Sequence, residues 1–183
     1  MRIVVFSDLP AATGFGRISR EVAKRLAHRG HEIQAISMMQ QDDPRTEPYY
    51  VWSAAPPRDL WGKIGEVINL VKPDVVLACQ DFPYIHNLYW GCKLDFSQWA
   101  SVFITPIDGT PIDPDWAKLV DIYDGAMVIS KFGVEAMRKA GKRVALCHPG
   151  VDTQEFKPAD DAERKTLREK AGIKLDAFVV EMF

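Results

Sequence analysis

Residues 13–19 read Thr-Gly-Phe-Gly-Arg-Ile-Ser, and the types and spacing there could do chemistry. Gly14 and Gly16, placed ahead of a helical pattern, let backbone N–H groups approach a ligand and donate to phosphate or hydroxyl oxygens. Arg17 adds a planar fork of donors suited to an anion. The pattern Gly14-x-Gly16-x-x-Ser19 lies close to the glycine fingerprint of dinucleotide sites, but two details depart from it. Gly14 stands well past Ser7, where the first apolar run ends, whereas the fingerprint follows its strand at once. The second apolar run ends Ile36-Ser37-Met38-Met39, with no acid to hold a ribose. A nicotinamide-dependent oxidoreductase is therefore the least favoured reading. A plain loop, in which the glycines only permit the turn, stays open beside ligand binding.

The other reactive residue types point to little. Cys79, Cys92 and Cys147 are far apart and form no C-x-x-C pair, which speaks against a disulfide framework or a zinc site. Cys79 and Cys147 end apolar runs, where a small buried thiol is the plain reading. No two of the 4 histidines stand at metal-ligand spacing on one element, so no metal is expected.

Short apolar runs alternating with helix-period segments must position the loop. Ile3–Phe6 reads as a strand buried on both faces. Ile18, Val22 and Leu26, spaced by four, mark the helix after the loop, and Gly30 stops it. Strands follow at residues 33–36, 74–79, 102–104, 126–129 and 144–146, with a short one expected at Tyr49–Trp52. The intervening helices carry Leu60 to Val71, a start at Asp113-Pro114 leading into Trp116 and Leu119, and a start at Ser130, a natural N-cap. Strands separated by helical segments imply βαβ units with right-handed crossovers. The expected fold is α/β: a doubly wound, mostly parallel, Rossmann-like sheet, with ligands bound beyond the carboxyl ends of its strands.

The 183 residues are 47% hydrophobic and 26% charged, with net charge -2. A chain of that length buries about 70% of its unfolded surface and needs neither disulfide nor metal to hold a core. The charge balance leaves no footprint for nucleic acid or an anionic membrane. The N-terminus is too short in apolar residues for a signal peptide or a membrane span, so the chain reads as cytoplasmic. The rhythm breaks after residue 157. Asp160-Asp161-Ala162-Glu163 then reads as a helix start, and Ala177-Phe178-Val179-Val180 as a strand opening another domain.

The stretch TGFGRISREVAKRLAHRGHEI resembles the start of group-1 (family 4) glycosyltransferases of GT-B architecture. Ser130-Lys131-Phe132-Gly133 and AMRKAGKRVALCHPGVDTQEFKP resemble that family's passage out of its N-terminal domain. RKTLREKAGI and DAFVVEMF resemble the opening helix and first strand of its C-terminal domain. The resemblance implies transfer of a sugar, with retention and without a metal or other cofactor, from a nucleotide diphosphate sugar to a hydroxyl acceptor, either a sugar or a lipid-linked one. Residues 1–157 would be the acceptor-binding domain. Residues 158–183 would be the linker helix and first strand of a donor-binding domain otherwise missing, leaving the isolated chain inactive. Peripheral membrane association is compatible with that reading.

The same resemblance implies roles for particular residues. Gly14, Phe15, Gly16 and Arg17 would line the cleft near the donor phosphates and the acceptor. Asp108 takes the place of a His or Asp near the reacting centre, where a carboxylate could orient the acceptor hydroxyl or assist its deprotonation. A turn in which Asp108 bonds its own backbone is the equal alternative. Asp81 would face the acceptor from another strand end. Tyr84, His86, Tyr89 and Trp90 offer faces for sugar rings, or plain packing. Ser130 and Lys131 would reach the cleft, although Ser130 is accounted for as a cap. A stand-alone, non-catalytic module of the same fold that binds a glycan or a partner remains the alternative.

Overall fold

In the computed structural model, which describes residues 1–9, 11–38, 45–46, 48–54 and 60–180, the first apolar run forms β1 (Arg2–Ser7). Its side chains alternate between two buried faces: Val4 and Phe6 on one, Ile3 and Val5 on the other. Beside β1 lie β2 (Glu32–Ser37) and β5 (Val75–Cys79), both parallel to it. The sheet continues outward through β4 (Tyr49–Ser53) on one side. On the other side come β6 (Ala100–Thr105), β7 (Gly125–Val128) and β8 (Ala145–Leu146). The two-residue β3 (Arg45–Thr46) pairs antiparallel with β4, completing the order β3-β4-β2-β1-β5-β6-β7-β8. This is the doubly wound, mostly parallel, Rossmann-like sheet expected from the sequence.

Helices cover both faces unequally. The long α1 (Gly14–His28) packs Ala23, Ile18 and Val22 against Val5, Leu77 and Ile104 on one face. Four helices cover the other: α2 (Leu60–Val71), α3 (Phe82–Gly91), α4 (Pro114–Ile122) and α5 (Lys131–Lys139). Ile64, Ile85, Leu119 and Met137, one from each, meet Phe6, Val76 and Phe103 in a single core. Right-handed crossovers explain the split. Strands added after β1 on the β5 side bring their helices to the same face, whereas β1 to β2 runs the opposite way.

The chain forms two compact units, Met1–Pro149 and Gly150–Phe183. In the second, Asp160 accepts a hydrogen bond from the Glu163 N–H at 2.8 Å and caps α6 (Asp161–Lys170). The strand expected at Ala177–Val180 is absent there: these four residues pair with no strand, and Phe178 is 93% exposed. An apolar run becomes a strand only where a neighbour offers matching backbone groups. A further departure is α3, a helix where the sequence shows an aromatic stretch. Among the described residues no helix is long and apolar enough to cross a membrane.

Candidate functional site

The carboxyl ends of β1, β5 and β6 share one edge of the sheet, because the strands are parallel and in register. Asp8 follows β1, Gln80 and Asp81 follow β5, and Pro106-Ile107-Asp108 follow β6. The chain winds away from β1 in both directions, so its junction with β5 is the point where connections part and leave a crevice. Among the described residues, two clefts open along this edge. One, of about 410 Å3, is lined by Asp8, Phe15, Met38, Leu60, Gln80, Asp81 and Tyr84. The other, of about 360 Å3, runs from Asp81 and Phe82 past the 106–112 loop to Trp116. Asp81 lines both.

The glycine loop is held by its own packing. Thr13 Oγ1 accepts the Gly16 N–H at 2.9 Å and caps α1, and the Thr13 carbonyl accepts from Arg17 N–H at 2.9 Å. A Cβ on Gly16 would stand 2.2 Å from the Ala11 carbonyl oxygen, so this glycine is required by the chain's own close approach. A Cβ on Gly14 would meet nothing within 4 Å. Beneath the loop, Ser19 Oγ donates to Ser7 Oγ at 2.7 Å, and Ser7 Oγ donates to the Cys79 carbonyl at 2.9 Å. That buried relay ties α1 to the ends of β1 and β5. Burial pushes the Cys79 thiol up, which keeps it protonated and inert.

The polar floor is acidic. The amide of buried Gln80 donates to the Asp8 carboxylate, so Asp8 is fixed at the parting of the strands. Asp81 stands at the N-cap of α3 but makes no capping bond with its side chain. Burial raises its pKa, and the neighbouring Asp108 and Asp8 carboxylates raise it further. Asp108 is exposed and makes no hydrogen bond to its own turn among the described residues, so the self-bonded turn weighed from sequence is not formed. No group of three or more His, Cys, Asp or Glu among the described residues could hold a metal ion.

A solved glycosyltransferase from Rickettsia africae ESF-5 has a similar fold, with a TM-score of 0.66 at 19% identity. The match covers 96% of this chain and 50% of that one, so the chain spans half the length of its structural neighbour. The shared feature is the fold. No protein-family model and no curated protein sequence matches the chain.

The clefts bring together only part of what the sequence singled out. Asp81, Asp108, Phe15 and Tyr84 line them. Gly14, Gly16 and Arg17 lie beside Phe15 in the first turn of α1 but line neither. Ser130 Oγ accepts the Gly133 N–H at 3.0 Å and serves as the cap of α5, and exposed Lys131 follows it; neither lines a cleft. Tyr89 is packed against Phe96 at 4.7 Å between ring centroids, and Trp90 is 60% exposed. Sequence reading missed Asp8, Gln80 and Trp116 as site residues. Trp116 was assigned to an apolar helix stripe, but its ring stacks on Phe82 at 5.6 Å and 18° and faces the second cleft. The signal available was positional: Asp8 and Gln80 directly follow the two central strand runs, where parallel sheets bind ligands.

Proposed function

We propose that this chain is the acceptor-binding part of a nucleotide-sugar-dependent glycosyltransferase of GT-B architecture, similar to group-1 (family 4) members. The observation that carries the reading is the pair of clefts meeting at Asp81 on the carboxyl edge, one beside the N-terminus of α1, the other walled by Trp116. The structural neighbour supports it, since the chain matches half of a glycosyltransferase. The sequence resemblance of residues 130–183 to the way out of an N-terminal domain supports it as well.

In this proposal the acceptor sits in the Trp116 cleft with a hydroxyl at Asp81 and Asp108. Donor phosphates approach the start of α1, where Thr13 takes the Gly16 and Arg17 N–H groups and those of Gly14 and Phe15 come first in the helix. The acceptor oxygen bonds to the anomeric carbon on the face from which the phosphate departs, as the sugar–phosphate bond breaks, and the nucleoside diphosphate leaves with that electron pair. The acceptor proton passes to a carboxylate, for which Asp81 is suited by its raised pKa. Asp108 orients the same hydroxyl. Transfer with retention and the donor's place on a C-terminal domain belong to the same reading.

The test is a donor screen on the complete gene product, with the 183-residue chain alongside. Release of nucleoside diphosphate that depends on a hydroxyl acceptor, and is lost on Asp81→Asn, is the expected result. Saccharide binding without turnover of any nucleotide sugar would leave the same cleft as that of a non-catalytic glycan-binding module.

A further inference from the structure

Resting on the acceptor-site reading above, we infer that the Trp116 cleft takes a saccharide free of phosphate and carboxylate groups, held by one apolar ring face and by its hydroxyl donors. Phosphorylated and other anionic acceptors are rejected.

One wall is an aromatic plate. The Trp116 ring, 36% exposed, lies parallel to Phe82, and Phe82 is itself braced edge-on by Phe103 at 6.0 Å. A backed indole loses little freedom on binding and presents the flat apolar face that a pyranose ring covers. Pro83, Pro106 and Ile112 continue the apolar lining. The ionisable groups facing the cavity are Asp81 and Asp108, and an ionised carboxylate only accepts hydrogen bonds. Thr110 adds one hydroxyl that can donate or accept, so most of the donors to the two carboxylates come from the ligand, as sugar hydroxyls provide.

Few of the features that hold anions elsewhere reach into this lining, although the start of α5, with exposed Lys131, packs behind it on Ile107. Among the described residues, no Lys, Arg or His lines the cleft. Lys118, on the same helix as Trp116, is held by Asp115 at 2.7 Å. The α3 N-terminus opens at the cleft floor, but its cap position is Asp81 and its next residues include Pro83, which has no N–H. The α4 N-terminus likewise begins with Pro114, and the Asp113 carboxylate takes the Asp115 N–H at 2.7 Å. A phosphate entering this space would face two carboxylates, with Asp8 adding to the field at Asp81.

The experiment follows the Trp116 indole N–H resonance of the 15N-labelled chain, assigned by its loss in Trp116→Phe. Methyl glucoside, methyl mannoside, methyl galactoside and N-acetylglucosamine are titrated to tens of millimolar, beside glucose 6-phosphate, mannose 6-phosphate and glucuronate. At least one uncharged sugar is expected to shift the resonance, and its anionic counterpart to bind about tenfold more weakly or worse, as like-charge juxtaposition requires. Asp81→Asn with Asp108→Asn should narrow that gap. An anionic sugar that binds as well as its uncharged parent overturns the inference. If no uncharged sugar shifts Trp116 while the complete protein transfers sugar, the assignment to this cleft fails and the glycosyltransferase reading stands. If charge selectivity is found but no donor is turned over, the transferase reading fails and the saccharide site stands.

Discussion

Asp81 occupies the N-cap of α3, where a carboxylate ordinarily bonds the first N–H groups, and yet it leaves its helix uncapped and faces two cavities. Its carboxylate is therefore not used by its own helix. Its folded pKa is raised by burial, Asp108 and Asp8, so the folded chain holds the proton more tightly than the unfolded chain does. Ionised Asp81 therefore costs stability at neutral pH, and the cost is relieved as pH falls through the raised pKa. Asp81→Asn is expected to melt at or above the wild-type Tm at pH 7, with the difference shrinking in acid, while transfer is lost. A lower Tm at pH 7 would mark Asp81 as structural. Trp116→Ala should raise KM for the acceptor by about tenfold, the loss of roughly one good stacking contact. Little change is expected in kcat, and Trp116→Phe should recover most of the loss.

At the scale of elements, the strands were legible because a parallel sheet covered on both faces needs continuous apolar runs, as in Ile3–Phe6 and Val75–Cys79. The helix α3 was not, since its aromatic and apolar residues run around much of the helix and Pro83 obscures its start. The acids on the carboxyl edge were legible in part. Asp81 and Asp108 stood out beside their strands, whereas the pairing of Asp8 with Gln80 joins residues 72 apart in sequence. The glycine loop was legible as a loop but not in its cause, because only the fold brings Ala11 over Gly16. That difference is testable. Gly16→Ala is expected to cost about 2 kcal/mol or more in urea denaturation, as forced backbone displacement does. Gly14→Ala should match wild type or exceed it by a few tenths, because alanine is the better helix former. Equal behaviour of the two variants would contradict the packing role of Gly16. At Gly133 a Cβ would stand 3.0 Å from Ile107 Cγ1, so the start of α5 bears directly on the residue before Asp108. Gly133→Ala should therefore lower acceptor affinity without touching the cleft itself, which the same acceptor titration would reveal.

For the whole molecule, net charge -2 says little about what is bound, whereas the distribution says more: acids gather where three central strands end. A sheet of this order supports many activities, and fold alone does not choose among them. In the proposal above, the carboxyl-edge clefts serve sugar transfer to a hydroxyl acceptor. The most direct measurement is nucleoside diphosphate release from a panel of nucleotide sugars by the complete gene product, with and without a mixture of uncharged saccharides, for wild type and for Asp81→Asn. Acceptor-dependent release that falls by at least about a hundredfold in the variant, as loss of a positioned proton acceptor predicts, is the expected result. No release from any donor, or release that Asp81→Asn leaves unchanged, would contradict it.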